Sequence, residues 1–222
     1  MPVRPVIAKS DADVYSNAPA GAEAVDLGLS VLWANMNVGA TAAEEWGNFY
    51  SWGETFTRNE YGWYYEYVTG KDAEGKDIAV TTNISNYKWG AYDTGFTGYT
   101  GATVLEPADD AATANWGSEW RMPTKEDFEE LIAYTTYKKH QVNGVWGGLF
   151  TGSNGNTIFL PAGGYHNEES LNTVGSNGVY YSSTVNTNNC LTAYFMNITG
   201  TSCEINSYIR PRGYNVRAVK AE

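Results

Sequence analysis

Residues 121–135 read Arg121-Met-Pro-Thr-Lys-Glu-Asp-Phe-Glu-Glu-Leu-Ile-Ala-Tyr-Thr135, the clearest helical stretch of the chain. Thr124 stands where an N-cap belongs, and Asp127 three residues on gives a variant of the capping box. Phe128, Leu131, Ile132 and Thr135 fall on one face at helical spacing. Acids crowd the first turn and Lys138, Lys139 and His140 are expected at the helix end, an order that suits the helix dipole. The role of this helix is structural; nothing in it asks for chemistry.

Downstream, short strand candidates alternate with Gly/Asn turns: Val145-Trp146, Thr157–Leu160, Val179–Ser183, Thr192–Ile198, Ser202–Asn206 and Tyr214–Val219. Upstream, Ala24–Leu29 and Val31–Val38 read as strands, the second closed by Gly39. Thr41-Ala-Ala-Glu44 predicts one or two helical turns stopped by Gly47, and Asn48–Glu54 another strand. Residues from 55 to about 115 form a long aromatic, Gly/Thr/Asp-rich insertion. It is expected to hold short strands such as Ile78-Ala-Val-Thr-Thr82, packed down by Trp63, Tyr64, Trp89 and Tyr92. Residues 1–22, with three prolines and no period, read as an extended arm that lies on the domain or mediates oligomerisation. One strong helix among many short strands indicates an α+β domain over 23–222 rather than alternating βαβ units.

Composition narrows the function. Of 222 residues, 17 are Tyr, 8 Trp and 24 Gly, and the formal net charge is −11. That balance disfavours nucleic-acid partners, whose phosphates it would repel. The aromatic surplus, apolar bodies with polar tips, suits interfaces. No stretch approaches the ~18 apolar residues of a membrane span. The opening Met1-Pro-Val-Arg-Pro-Val lacks the hydrophobic core of a signal peptide. Display outside the cell would therefore need a leader removed beforehand or another route.

Catalytic and metal signatures are weak. His140 and His166 lack a second histidine at ligand spacing; both read as surface or helix-end residues. Ser182-Ser183-Thr184 lacks the glycine flanks of a nucleophile elbow and reads as strand and turn bonding. Asp109-Asp110 with Glu106 offers oxygens of the kind calcium takes, but reads first as a solvated acidic loop. Cys190 and Cys203 are open to pairing, to remaining free thiols, or, least of all, to redox use. No cofactor and no metal is expected, and the chain does not read as an enzyme.

Several blocks resemble a known family. They are Val25–Ala40, Glu44–Glu54, Trp116–Leu131, Leu160-Pro-Ala-Gly-Gly-Tyr165, Gly178–Thr184 and Arg210-Pro-Arg-Gly-Tyr-Asn-Val-Arg217. Together they resemble the Fibrobacter succinogenes major paralogous domain, abundant in gut Bacteroidetes and related to the formylglycine-generating-enzyme branch of C-type lectin-like folds. The resemblance implies a C-type lectin-like α+β fold with a twisted antiparallel sheet, few helices and a ligand face near the C-terminal strands. It makes Trp33, Trp46, Trp52, Trp116 and Trp120 scaffold residues. The lectin calcium motifs are not kept, since Glu106-Pro107-Ala108 and Asn115-Trp116-Gly117 depart from them. The two closely spaced copper-binding cysteines of the formylglycine-generating enzymes are absent too.

Some members resemble the variable proteins of diversity-generating retroelements, and residues 185–217 fit their layout. With Ala193, Met196 and Ile198 holding the fold, Phe195 and Asn197 are expected to project the other way. Asn186, Asn188, Asn189, Cys190, Ser207, Tyr208, Ile209, Pro211 and Arg212 would surround them. The resemblance thus implies a non-enzymatic protein displayed on a cell surface or phage particle, binding a protein or glycan on another surface. A structural surface or assembly module, and a degenerate formylglycine-generating-type enzyme, are the alternatives. Replacing Thr124 with alanine is expected to cost ~0.5–2 kcal/mol, measured by urea unfolding; an unchanged midpoint would remove the cap.

Overall fold

The structure, a computed structural model, describes residues 17–62, 66–71, 77–82, 102–189 and 191–221. In chain order come β1 (Ala24–Val25), β2 (Val31–Asn37), β3 (Phe49–Tyr50), β4 (Glu66–Lys71) and β5 (Asp77–Thr82). Two helices follow, α1 (Ala111–Trp116) and α2 (Lys125–Tyr134). Then come β6 (Thr136–Val142), β7 (Val145–Thr151), β8 (Thr157–Pro161), β9 (Tyr165–Asn167) and β10 (Ser170–Asn172). The last strands are β11 (Gly178–Val185), β12 (Thr192–Ile198), β13 (Cys203–Ile209), β14 (Tyr214–Asn215) and β15 (Arg217–Ala221). The protein is a β-rich α+β fold. Its central sheet runs β13-β12-β11-β14-β3; β1-β2-β15 and β6-β7-β8 form three-stranded sheets, and β4-β5 and β9-β10 are hairpins.

The capping box of α2 forms in both directions. Asp127 donates its backbone N–H to Thr124 Oγ1 at 3.1 Å, and Thr124 donates its own to Asp127 Oδ2 at 2.7 Å. Phe128 and Leu131 are fully buried. The helix ends at Tyr134, so Lys138, Lys139 and His140 lie on β6 and not at a helix end. Asn143 and Gly144, both at positive φ, turn β6 into β7, the backbone that an Asn-Gly hairpin turn requires.

Other expectations are corrected. Thr41-Ala-Ala-Glu44 forms a turn rather than a helix: the Thr41 N–H and hydroxyl both donate to Glu45 Oε2. Gly47 then takes φ +68, where a Cβ would meet the Val38 carbonyl at 2.4 Å. The strand expected over 48–54 is confined to Phe49–Tyr50. Helix α1 lies inside the expected insertion, and β9 and β10 in what reads as loop. The strand at 78–82 forms within β5. Trp63, Tyr64, Trp89 and Tyr92 lie outside the described residues, as do residues 1–16. Residues 17–22 lie on the domain: the Asn17 N–H donates to the Trp116 carbonyl at 2.8 Å, and Ala18 and Ala22 pack on the core.

Two apolar cores flank the middle of the sheet system. One gathers Trp52, Trp116, Trp120, Tyr181, Ala193 and Tyr214; the other gathers Trp33, Phe128, Phe150, Tyr180, Met196 and Ile198. Every residue of β11 is buried, with Tyr180 and Tyr181 facing opposite cores, as period-2 alternation dictates. Of the expected scaffold tryptophans, Trp33, Trp52, Trp116 and Trp120 are buried, and Trp46 is half-buried.

Arg217 joins the layers. Fully buried, it donates from Nε to Asn37 Oδ1, from Nη1 to the Ala34 carbonyl and from Nη2 to the Phe159 carbonyl, each at 2.8 Å. Burial pushes its pKa down to about 10, which still leaves it charged at neutral pH. Arg217→Met would leave three buried acceptors without donors. The expected loss is ~3 kcal/mol or more, read from the urea midpoint; a loss below ~1 kcal/mol would show that the acceptors find other donors.

Candidate binding face

The β12–β13 hairpin carries five of the eleven residues that the sequence singles out: Phe195, Asn197, Ser207, Tyr208 and Ile209. Its register is unbroken from Thr192↔Ile209 to Ile198↔Cys203. Phe195 stands opposite Asn206, Asn197 opposite Glu204 and Ala193 opposite Tyr208, so these six share one face. Ala193 therefore does not group with Met196 and Ile198; it belongs to the core of Trp52 and Tyr181, while Met196 and Ile198 enter the other core.

This alternation divides the expected site in two. Phe195, Asn197 and Tyr208 lie on one face, and Ser207 and Ile209 on the other, opposite Tyr194 and Thr192. Asn186 belongs with the second set: its Nδ2 donates to Ser207 Oγ at 3.1 Å, and its Oδ1 accepts from the Asn188 N–H at 3.0 Å. Asn189 Oδ1 accepts from the Leu191 N–H at 3.3 Å. These asparagines build the turn between β11 and β12, where their short polar side chains replace missing backbone partners. Pro211 is buried rather than displayed, and its carbonyl accepts from Ser51 Oγ at 3.3 Å. Cys190 lies outside the described residues.

On the first face an aromatic group assembles. Tyr214 is its buried centre, with Tyr181 at 4.4 Å, Phe195 at 5.0 Å and Tyr165 at 6.0 Å between ring centroids. Phe195 is thus half-buried against the core and presents only part of its ring. The Arg212 guanidinium lies 5.3 Å from the Tyr208 ring centroid and 5.9 Å from that of Tyr165. Its Nε is buried without an acceptor, and no carboxylate pairs with it among the described residues. Tyr208 is 47% exposed. Asn197 Oδ1 accepts from Asn177 Nδ2 at 3.1 Å.

The loop that carries Arg212 is held from beneath. The Tyr181 hydroxyl lies 3.0 Å from the Arg210 carbonyl and 3.1 Å from that of Arg212, and burial raises its pKa well above the ordinary value. Gly213 and His166 exchange backbone hydrogen bonds of 2.8 and 3.0 Å. The strand β9 thus brings Tyr165 beside the C-terminal loop. Tyr165, Asn177, Glu204 and Asn206 were absent from the sequence-based set. Counting back by twos from Tyr208 would have found Asn206 and Glu204; no local signal marks Tyr165 or Asn177.

The residues weighed for catalysis have structural partners. Ser182 Oγ donates to the Tyr194 carbonyl at 2.9 Å, Ser183 Oγ to that of Pro123 at 3.2 Å, and Thr184 Oγ1 accepts from the Lys125 N–H at 3.0 Å. Asp110 is buried, not solvated. It caps α1, its two oxygens accepting from the Thr113 and Met122 N–H groups at 2.9 and 2.8 Å. Burial nevertheless raises its pKa. Cys203 is a free, half-buried thiol; burial and the neighbouring Glu204 charge push its pKa up, against thiolate chemistry.

His166, expected at the surface, is half-buried. Its ring sits between Phe49, at 4.8 Å and edge-on, and Tyr61 at 5.0 Å, and Nδ1 is buried without a partner. Burial lowers its pKa below the ordinary 6.5. The unfolded chain therefore takes up a proton that the folded protein resists. Its contribution to stability is full above about pH 6.5 and is lost as pH falls through the lowered value. The urea midpoint is expected to drop between about pH 7 and pH 5, and the drop to be smaller in His166→Phe. Equal drops in both proteins would remove His166 from the acid response.

No family model, curated protein or solved structure matches the chain, so what this face can recognise has to be read from its own side chains.

Proposed function

We propose that the protein is a non-enzymatic binding protein with a C-type lectin-like architecture. Its recognition face is formed by Tyr165, Phe195, Asn197, Asn206, Tyr208 and Arg212. The observation that carries this reading is Arg212 lodged between Tyr165 and Tyr208 with no carboxylate among the described residues. A chain with 25 acidic and 14 basic residues has a surplus of acids with which to pair a half-buried arginine. Stacking on two rings instead pre-orients the guanidinium and leaves its donors for an acceptor on a ligand.

The surrounding groups suit the same role. Tyr208 offers a large amphipathic ring with few rotamers to lose on binding, and the carboxamides of Asn197 and Asn206 add adaptable hydrogen bonds. Hot spots in interfaces are enriched in such tyrosine and arginine anchors. The ligand is a protein or glycan on another surface, met outside the cell or from a phage particle. If adenine-directed diversification acts on this chain, tolerated changes concentrate at outward positions such as Asn206 and Tyr208. Turn-forming Asn186, Asn188 and Asn189 and buried Pro211 would change rarely.

Arrayed glycans and intact gut bacterial cells are suitable probes of binding by the full chain. Tyr208→Ala and Arg212→Ala are each expected to weaken capture by ~30-fold or more, about 2 kcal/mol, with the melting temperature unchanged. Capture that survives both changes would overturn this face as the recognition site.

A further inference from the structure

Strand β13 ends the five-stranded sheet, and its outer edge is unpaired among the described residues. Which backbone groups face outward follows from two hydrogen bonds that continue the β12–β13 register at either end. The Thr199 N–H donates to the Ser202 carbonyl at 2.8 Å, and the Arg210 N–H to that of Leu191 at 3.1 Å. Antiparallel pairs alternate between bonded and non-bonded. Glu204, Asn206 and Tyr208 therefore turn their backbone groups inward to β12. Cys203, Ile205, Ser207 and Ile209 turn theirs outward.

Exposed edges of this length are usually blunted by lysine, proline, a bulge or a covering element. Over seven residues β13 contains neither lysine nor proline, and its pairing with β12 has no bulge. Helix α2 packs on one side of the strand, where Cys203 and Ile205 are half-buried, and no strand among the described residues pairs with the backbone edge. On the other side Glu204, Asn206 and Tyr208 are exposed.

We propose that this edge pairs with β13 of a second copy of the chain, antiparallel and about a two-fold axis through Asn206. In that register Ile205 faces Ser207 of the second copy and Cys203 faces Ile209. All four outward residues of each strand are then bonded, with roughly eight hydrogen bonds in all. Asn206 meets its own copy at a non-bonded pair, where Cα atoms approach to about 4.5 Å. Glu204 falls opposite Tyr208 of the second copy, next to its Arg212.

Charge selects the same register. The Glu204 carboxylate has only the Ser202 hydroxyl, at 3.4 Å, and no basic partner among the described residues. Arg212, 5.3 Å from the Tyr208 ring, lacks a carboxylate. The two-fold axis supplies each with the other, twice. A pairing centred on Glu204 would instead oppose two carboxylates, which is unfavourable. The result is a continuous ten-stranded sheet in which the Glu204 carboxylate of one copy and a ligand acceptor would compete for the Arg212 donors of the other. The dimer stands or falls independently of the recognition reading: its test is mass and cross-linking, not ligand capture.

The full chain is expected to sediment as a species of about twice 24.3 kDa at high concentration and to dissociate on dilution. Asn206→Lys places two ammonium groups face to face at the axis, and is expected to give the single-chain mass with the melting temperature that the unchanged chain shows when diluted to monomer. Ser207→Pro removes an outward N–H together with the hydroxyl that accepts from Asn186, and is expected to give the single-chain mass with a lowered melting temperature. Under mild oxidation Asn206→Cys should cross-link to its own copy several-fold more than Glu204→Cys. A wild-type chain that stays monomeric at all concentrations overturns the proposal, as does an Asn206→Lys chain that still dimerises. Equal cross-linking at 204 and 206 would overturn the register.

Discussion

Arg217 is the constraint on which the other packing depends. A guanidinium in the interior is costly unless each face of its fork is satisfied. Here Asn37, Ala34 and Phe159 supply acceptors from β2 and β8, fixing both against β15. Asn37 is itself held, donating from Nδ2 to the Trp46 carbonyl at 2.8 Å. Nearby, the Tyr180 hydroxyl donates to the Pro161 carbonyl at 2.6 Å, which ties β8 to β11. A polar lattice thus sets the spacing between layers that apolar contact alone would leave adjustable, because hydrogen bonds have direction and apolar burial does not.

The proposed recognition face inherits that spacing. With β11 buried on both sides, Tyr181 is fixed under the 209–213 loop and Tyr214 beside it. The loop cannot drift without leaving carbonyls of Arg210 and Arg212 short of the Tyr181 hydroxyl, and His166 holds it from the other side through Gly213. Arg212 is therefore delivered between two rings by backbone that is anchored on two strands. Preorganisation of this kind lowers the entropy lost on binding. The same hairpin has an open edge, and the same arginine lies where a second copy would place a carboxylate.

Much of the architecture was legible locally. The α2 capping box needs only residues three apart, and β12 matches its expected span residue for residue. The α+β class follows from one strong helix among many strands. Where local pattern failed, a partner distant in sequence decided. Lys138-Lys139-His140 looks like a helix terminus, but backbone pairing with β7 makes it a strand, and the Asn143-Gly144 turn is the local signal of that hairpin. Asp110 looks solvated, but the Met122 N–H, twelve residues on, takes one of its oxygens into the core. Phe195 and Pro211 look displayed because nothing near them in sequence shows what covers them.

The sequence by itself determined the elements whose hydrogen bonds and apolar stripes close within a few residues: the helix, the C-terminal strands and the turns built by Asn and Gly. It also determined the composition of the hairpin, with its tyrosine, arginine and carboxamides. Only the tertiary structure decided which of these share a face. Strand alternation sends neighbours to opposite sides, and register with β11 and the reach of β9 choose the side that meets Tyr165. That choice separates Asn186, Ser207 and Ile209 from Phe195, Tyr208 and Arg212, because a side chain's surroundings are set by what packs across the sheet and not by what precedes it in the chain.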